Sequence, residues 1–281
     1  MTTLTLVKEH FCFGGKVVFY RHLSQVCYCD MNFSVFIPPQ AETKPVPILY
    51  YLSGLTCTDE NFITKAGAQR LAAMHGLMLV APDTSPRGVN IPDVDDWDLG
   101  TGAGFYVDAT QSPWNHHYQM YSYVTQELPS LIQAYFHVRG DRQGIFGHSM
   151  GGHGALVCGL KHPELFQSIS AFAPIVAPSQ CAWGQKAFSH YLGNDSEMWK
   201  AYDATELVKT YVDVNRPILI DQGTKDDFLE SQLMPHKFVE ACQAVGQPLN
   251  LRMQEGYDHS YFFISSFMDE HILHHAKTLC Q

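Results

Sequence analysis

An α/β architecture, a mostly parallel central sheet with helices on both faces, is what this sequence predicts. Three observations carry the prediction. Short β-branched and aromatic runs alternate with helix-length segments along the chain. Two of the runs are apolar and end at turn residues, as strands buried in the middle of a sheet do. No Pro/Gly/Ser-rich break divides the 281 residues, so one domain is expected over residues 1–281. A hydrophobic content of 46% allows a sizeable core, and 12% aromatic residues exclude disorder.

The opening third reads as strands. Lys16 to Arg21 and Met31 to Ile37 are β-branched and aromatic, and Pro38-Pro39 closes the second. Pro47 to Leu52 is a buried strand ending in Ser53-Gly54. Asn61 to His75 has helical spacing in Phe62, Ala66, Leu71 and Ala72, and Gly76 stops it. Leu77 to Ala81 is the next buried strand. Residues 84–115 then form a long irregular loop, and its aromatics Trp97, Phe105, Tyr106 and Trp114 mark it as packed against a site.

His116 to Phe136 is helical, with a kink or boundary expected at Pro129. Gln143 to Phe146 is a strand, Met150 to Lys161 a helix and Ser168 to Ala173 a strand. Residues 174–212 form an insertion with short helical pieces. Strand Pro217 to Asp221, helix Gln232 to Ala244, strand Leu249 to Met253 and a terminal helix Ser260 to Leu279 complete the order.

A formal charge of −10 argues against nucleic acid and anionic membrane surfaces as partners. No stretch approaches the ~18 apolar residues of a membrane helix, and Lys8, Glu9 and His10 interrupt any signal-like N-terminal run. A cytoplasmic location is expected. The eight cysteines form no CxxC pair and read mainly as small apolar fillers.

The chemistry centres on Gly147-His148-Ser149-Met150-Gly151, a Gly-x-Ser-x-Gly string between a strand and a helix. Glycines flank the serine because side chains there would crowd a sharp strand-to-helix turn, which lifts the hydroxyl out of the sheet. Ser149 is therefore the expected nucleophile. His148, on the same turn, points away from it and reads as structural. A hydrolase of this kind orders its triad Ser, Asp or Glu, then His. His259 follows the last strand and precedes the last helix, where a loop can reach the top of the sheet; it is the expected base. Asp226 and Asp227 both lie in the loop after strand 217–221, and spacing does not choose between them. The oxyanion site is expected from the Met150 N–H and the Leu55 N–H, the latter beside Gly54. His116-His117 and His271/His274/His275 match no catalytic metal motif such as HExxH and read as solvated histidines, so no metal or other cofactor is expected.

Several strings together resemble the S-formylglutathione hydrolase (esterase D) family: Tyr51-Leu52-Ser53-Gly54-Leu55-Thr56-Cys57, Asp83-Thr84-Ser85-Pro86-Arg87-Gly88, Gly102-Ala103-Gly104-Phe105-Tyr106, Gly147-His148-Ser149-Met150-Gly151-Gly152-His153-Gly154, Asp221-Gln222-Gly223 and Gly256-Tyr257-Asp258-His259-Ser260-Tyr261. The resemblance runs from about Glu9 to the C-terminal helix. It implies an α/β-hydrolase fold and hydrolysis of S-formylglutathione, a small thioester, to formate and glutathione in formaldehyde detoxification. It also implies Asp226 as the triad acid, a thiol near the site at Cys57, and a cytosolic homodimer. A broad short-chain carboxylesterase or acyltransferase would share the same triad. For the substrate, Trp183 is a candidate wall of a small acyl pocket. Arg87 and Lys186 are candidate contacts for the glutathione carboxylates.

Overall fold

The computed structural model describes residues 3–88 and 90–281. A nine-stranded sheet in the order β1-β2-β3-β5-β4-β6-β7-β8-β9 forms its centre. The strands are β1 (Thr5–Cys12), β2 (Gly15–Leu23), β3 (Asp30–Ile37), β4 (Val46–Leu52), β5 (Met78–Pro82), β6 (Val138–His148), β7 (Ser168–Phe172), β8 (Ile218–Gly223) and β9 (Leu249–Gln254). The pairings from β5 through β4 to β9 are parallel, while β1, β2 and β3 join as an antiparallel edge. Every residue of β4, β5 and β8 is buried, which is why those strands read as apolar runs in the sequence.

Among the described residues ten α-helices flank the sheet: α1 (Asp59–Lys65), α2 (Gln69–His75), α3 (Met120–Ser122), α4 (Leu128–Tyr135), α5 (Met150–Lys161), α6 (Ala182–Tyr191), α7 (Ser196–Trp199), α8 (Ala204–Thr210), α9 (Pro235–Val245) and α10 (Tyr261–Leu279). Alternation along β6 shows the two covered faces. Gly144 leaves room for His275 and Leu279 of α10, whereas its neighbour Ile145 packs at Gly159 of α5.

Some boundaries differ from the sequence expectation for physical reasons. The helix expected over 61–75 is two helices, broken at Gly67, whose φ of 74° leaves the helical region. Gly76 (φ 69°) does cap the second, as its position predicts. Pro129 stands at the start of α4, and the turn before it, Tyr123–Glu127, widens into a π-helix. The wider turn accommodates a residue that cannot donate its amide. Strand β1 escaped the sequence reading because it is an exposed edge with no apolar alternation, interrupted by a register shift between Leu6 and Lys8. His271 and His275, expected in solvent, are fully buried against β7.

Candidate active site

Strand β6 delivers the chain to Ser149, and α5 starts at the next residue. Ser149 has φ 59° and ψ −119°, a conformation that costs a non-glycine residue strain and persists only when its surroundings impose it. They do so through the backbone. The Ser149 N–H donates to the Phe172 carbonyl at 3.0 Å, and its own carbonyl accepts from His153 at 2.9 Å and Ile175 at 3.2 Å. A Cβ on Gly151 would overlap the Leu52 carbonyl, and one on Gly147 would overlap the Gly151 carbonyl. The flanking glycines thus let β4, β6 and α5 close around one raised serine.

Two further loops meet beside it. The first leaves β8 and carries Asp226; the second leaves β9 and carries His259 just before the Ser260 cap of α10. They pass so closely that a Cβ on Gly223 would strike the Tyr257 carbonyl. His259 Nδ1–H donates to Asp226 Oδ2 at 2.6 Å. The Asp226 side chain is fully buried, and its oxygens also accept the Phe228 N–H at 2.9 Å and Gln222 Nε2 at 3.2 Å. A buried carboxylate held this way fixes the imidazole tautomer, leaving Nε2 as the basic nitrogen. Asp227, its neighbour, is exposed.

The loop after β4 crosses over the serine. At Gly54 an added Cβ would come within 3.2 Å of Ser149 Cβ and 3.3 Å of the His148 carbonyl. Tyr106 Oη donates to the Ser53 carbonyl at 2.9 Å, and the Thr56 N–H donates to Gly102 at 2.9 Å, so residues of the long loop 84–115 hold this crossing in place. The Leu55 N–H has no acceptor among the described residues. Met150 is the first residue of α5, where amide groups lack intrahelical partners. Both donors are thus available to a developing oxyanion beside Ser149.

Ser149, His259, Leu55, Cys57 and Trp183 line one cavity of about 240 Å³. Trp97, Phe228, Tyr261 and His148 complete much of its wall. Trp97 meets Trp183 edge-on at 5.4 Å, Trp183 meets Phe228 at 4.7 Å, and Phe228 meets the His259 ring edge-on at 5.1 Å. Burial pushes the Cys57 thiol above its ordinary pKa, so it is a neutral wall group at pH 7. Burial, with His259 as a second cause, pushes His148 well below the ordinary imidazole value.

Arg87 and Lys186 stand outside this wall. Arg87 Nε donates to both oxygens of the buried Asp83 carboxylate, at 2.9 and 3.0 Å, and its Nη2 donates to the Cys57 carbonyl at 3.0 Å. It braces the loop that follows β4. Lys186 donates to Asp98 at 2.5 Å and to Asp96, tying α6 to the long loop. Of the wall residues absent from the sequence expectation, Phe228 and Tyr261 lie two positions beyond Asp226 and His259. Trp97 belongs to the aromatic set that had marked the loop as packed.

The family model Esterase, described as "Putative esterase", matches residues 24–274. S-formylglutathione hydrolase of Mus musculus is 57% identical over 278 residues, covering 98% of this chain and 99% of the mouse protein. That of Bos taurus is 55% identical with the same coverage. The solved structure of an S-formylglutathione hydrolase from Agrobacterium tumefaciens superposes with a TM-score of 0.95 at 50% identity, covering 98% of this chain and 99% of that one.

Proposed function

This chain belongs to the S-formylglutathione hydrolase family of esterases, and on that premise we propose that it hydrolyses S-formylglutathione at Ser149. The observation that carries the reading is the 2.6 Å bond from His259 to the buried Asp226, with His259 lining the same cavity as the strained Ser149.

His259 Nε2 takes the Ser149 hydroxyl proton as Oγ attacks the formyl carbon. The Leu55 and Met150 N–H groups hold the oxyanion, and Asp226 stabilises the imidazolium. The C–S bond then breaks, and His259 returns the proton to the departing glutathione sulfur. Water enters, His259 removes its proton, and attack on the formyl-serine ester releases formate and restores Ser149. Sulfur donates weakly into the carbonyl and leaves readily, so a thioester suits a site whose oxyanion is held by amide N–H groups. The aromatic wall of Trp97, Trp183 and Phe228 suits a very small acyl group. The reaction is the hydrolytic step of glutathione-dependent formaldehyde detoxification.

The same family reading puts the protein in the cytoplasm as a homodimer, a state that light scattering on the purified chain reads directly. For the activity, kcat/KM is measured on S-formylglutathione and on a short aryl acetate, with Ser149→Ala beside the parent. Preference for the thioester and its loss in Ser149→Ala are expected. A large preference for the aryl ester would point to a general carboxylesterase instead.

A further inference from the structure

Glutathione carries two carboxylates, yet among the described residues no lysine or arginine lines the cavity. At about 240 Å³ the cavity also falls short of the ~300–1,000 Å³ usual for small-molecule sites. The formyl thioester fits inside, and the peptide tail has to lie across the rim. A chain of formal charge −10 repels that tail unless a local cation meets it. Arg87 and Lys186 are both already committed, to Asp83 and to Asp96 with Asp98.

Lys65 is not. It is the last residue of α1 and is exposed. Its Nζ lies 5.6 Å from the ring centroid of Tyr261, a wall residue of the cavity. It is also the cation with the strongest influence on Cys57, a second wall residue. Glu60, an acid of its own helix, is taken by Lys8 at 2.7 Å. Among the described residues no carboxylate pairs with Lys65. A helix C-terminus accommodates a lysine for dipole reasons, and the Tyr261 ring gives its amine a cation–π contact, but neither neutralises its charge.

We propose that Lys65 is the rim subsite for a carboxylate of the substrate's peptide tail, an inference that rests on S-formylglutathione being the substrate. It makes Lys65 a specificity-determining residue that acts on binding and leaves the acyl chemistry untouched.

The test measures kcat and KM on S-formylglutathione and on an uncharged aryl acetate for the parent, Lys65→Gln, Lys65→Glu and, as control, Lys225→Gln. Lys225 is an exposed lysine of the Asp226 loop. In Lys65→Gln, KM for S-formylglutathione should rise about three- to tenfold, as expected for a rim charge pair, with kcat unchanged. Lys65→Glu should raise it further. Neither should change the kinetics on the aryl acetate, which also shows that the variants fold. Raising salt should raise the parent's KM for the thioester and affect Lys65→Gln less. An unchanged thioester KM in both Lys65 variants, equal losses on both substrates, or an equal effect from Lys225→Gln would overturn the subsite. If the parent protein itself failed to hydrolyse S-formylglutathione, the functional reading would fall and the subsite with it.

Discussion

The imidazole of His148 lies 4.3 Å from that of His259, inclined to it by 46°. Its Nε2 is buried with no partner among the described residues. Two imidazolium ions at this separation would repel strongly out of water, so the residue beside the serine has to stay neutral while His259 carries the proton. Burial, reinforced by His259, keeps it so. The ring signals of His148, followed by NMR from pH 8 to pH 5, should therefore not titrate. A midpoint near 6.5 would contradict the buried placement.

Asp226 and Asp227 are adjacent, but only Asp226 reaches His259. Asp226→Asn removes the carboxylate that fixes the tautomer and should lower kcat about 10⁴-fold, with little change in KM. Asp227 is exposed, and Asp227→Asn should stay within about twofold of the parent, as surface substitutions generally do. Steady-state kinetics on the pair of variants decides it, and comparable losses in both would exclude this assignment.

That contrast marks how far the sequence could be read. The turn at Ser149 was legible because its causes are local: a glycine on either side, a strand before and a helix after. The choice between two neighbouring aspartates depends on which one turns beneath a loop 33 residues further along, and spacing carries no such information. His271 and His275 of α10 depart from the solvated expectation for the same reason. Polar residues three and four apart on a helix look solvated until their partners are known, and here those partners are Ser168, Ser170 and Asp221 on two distant strands. Arg87 and Lys186 are the expected contacts for the glutathione carboxylates, but the chain's own carboxylates engage them.

The buried histidines form an ordered chain. Asp221 accepts from Arg252 Nε at 2.7 Å, Gln254 at 2.9 Å and His271 Nε2–H at 3.1 Å. His271 Nδ1 must then accept the Ser170 hydroxyl proton, at 2.7 Å. Ser170 in turn accepts from His275 Nε2–H at 2.8 Å, and His275 Nδ1 accepts from Ser168 at 2.6 Å. One carboxylate orients every proton along the chain. Asp221→Ala strands Arg252 and His271 together and should cost about 3–5 kcal/mol. Ser168→Ala, at the far end, leaves one buried nitrogen unpaired and should cost about 1–3 kcal/mol. Urea unfolding of the two variants measures the difference; equal costs would mean the chain is not ordered from Asp221.

Trp183 closes the cavity against Trp97 and Phe228. Replacing it with alanine should open space beside Ser149 without touching His259 or Asp226. Relative kcat/KM for butyryl over acetyl aryl esters should then rise about tenfold, the order of magnitude that one or two methylenes command in an apolar pocket. A uniform fall on both esters would instead make Trp183 a support for the fold.

Stability should rise with pH between about 4 and 6.5. His153 and His274 are each pushed down to about 4, chiefly by burial. His148 and His275 are driven well below their ordinary 6.5, again chiefly by burial. Below pH 6.5 the unfolded chain takes up these protons while the folded chain does not, so acid favours unfolding. The stabilisation is whole above 6.5 and is lost as pH falls toward the folded values, each unbalanced group giving about 1.4 kcal/mol per pH unit. Asp59 works against this. Burial raises its carboxyl to about 7, so its contribution is present below pH 3.8 and lost as pH rises through 7. Burial raises Asp83 as well and lowers His22 and His271, so six histidines stand against two aspartates and outweigh them. The urea midpoint should therefore be clearly lower at pH 5 than at pH 7.5, and a midpoint that stayed level or rose on acidification would refute the histidine account.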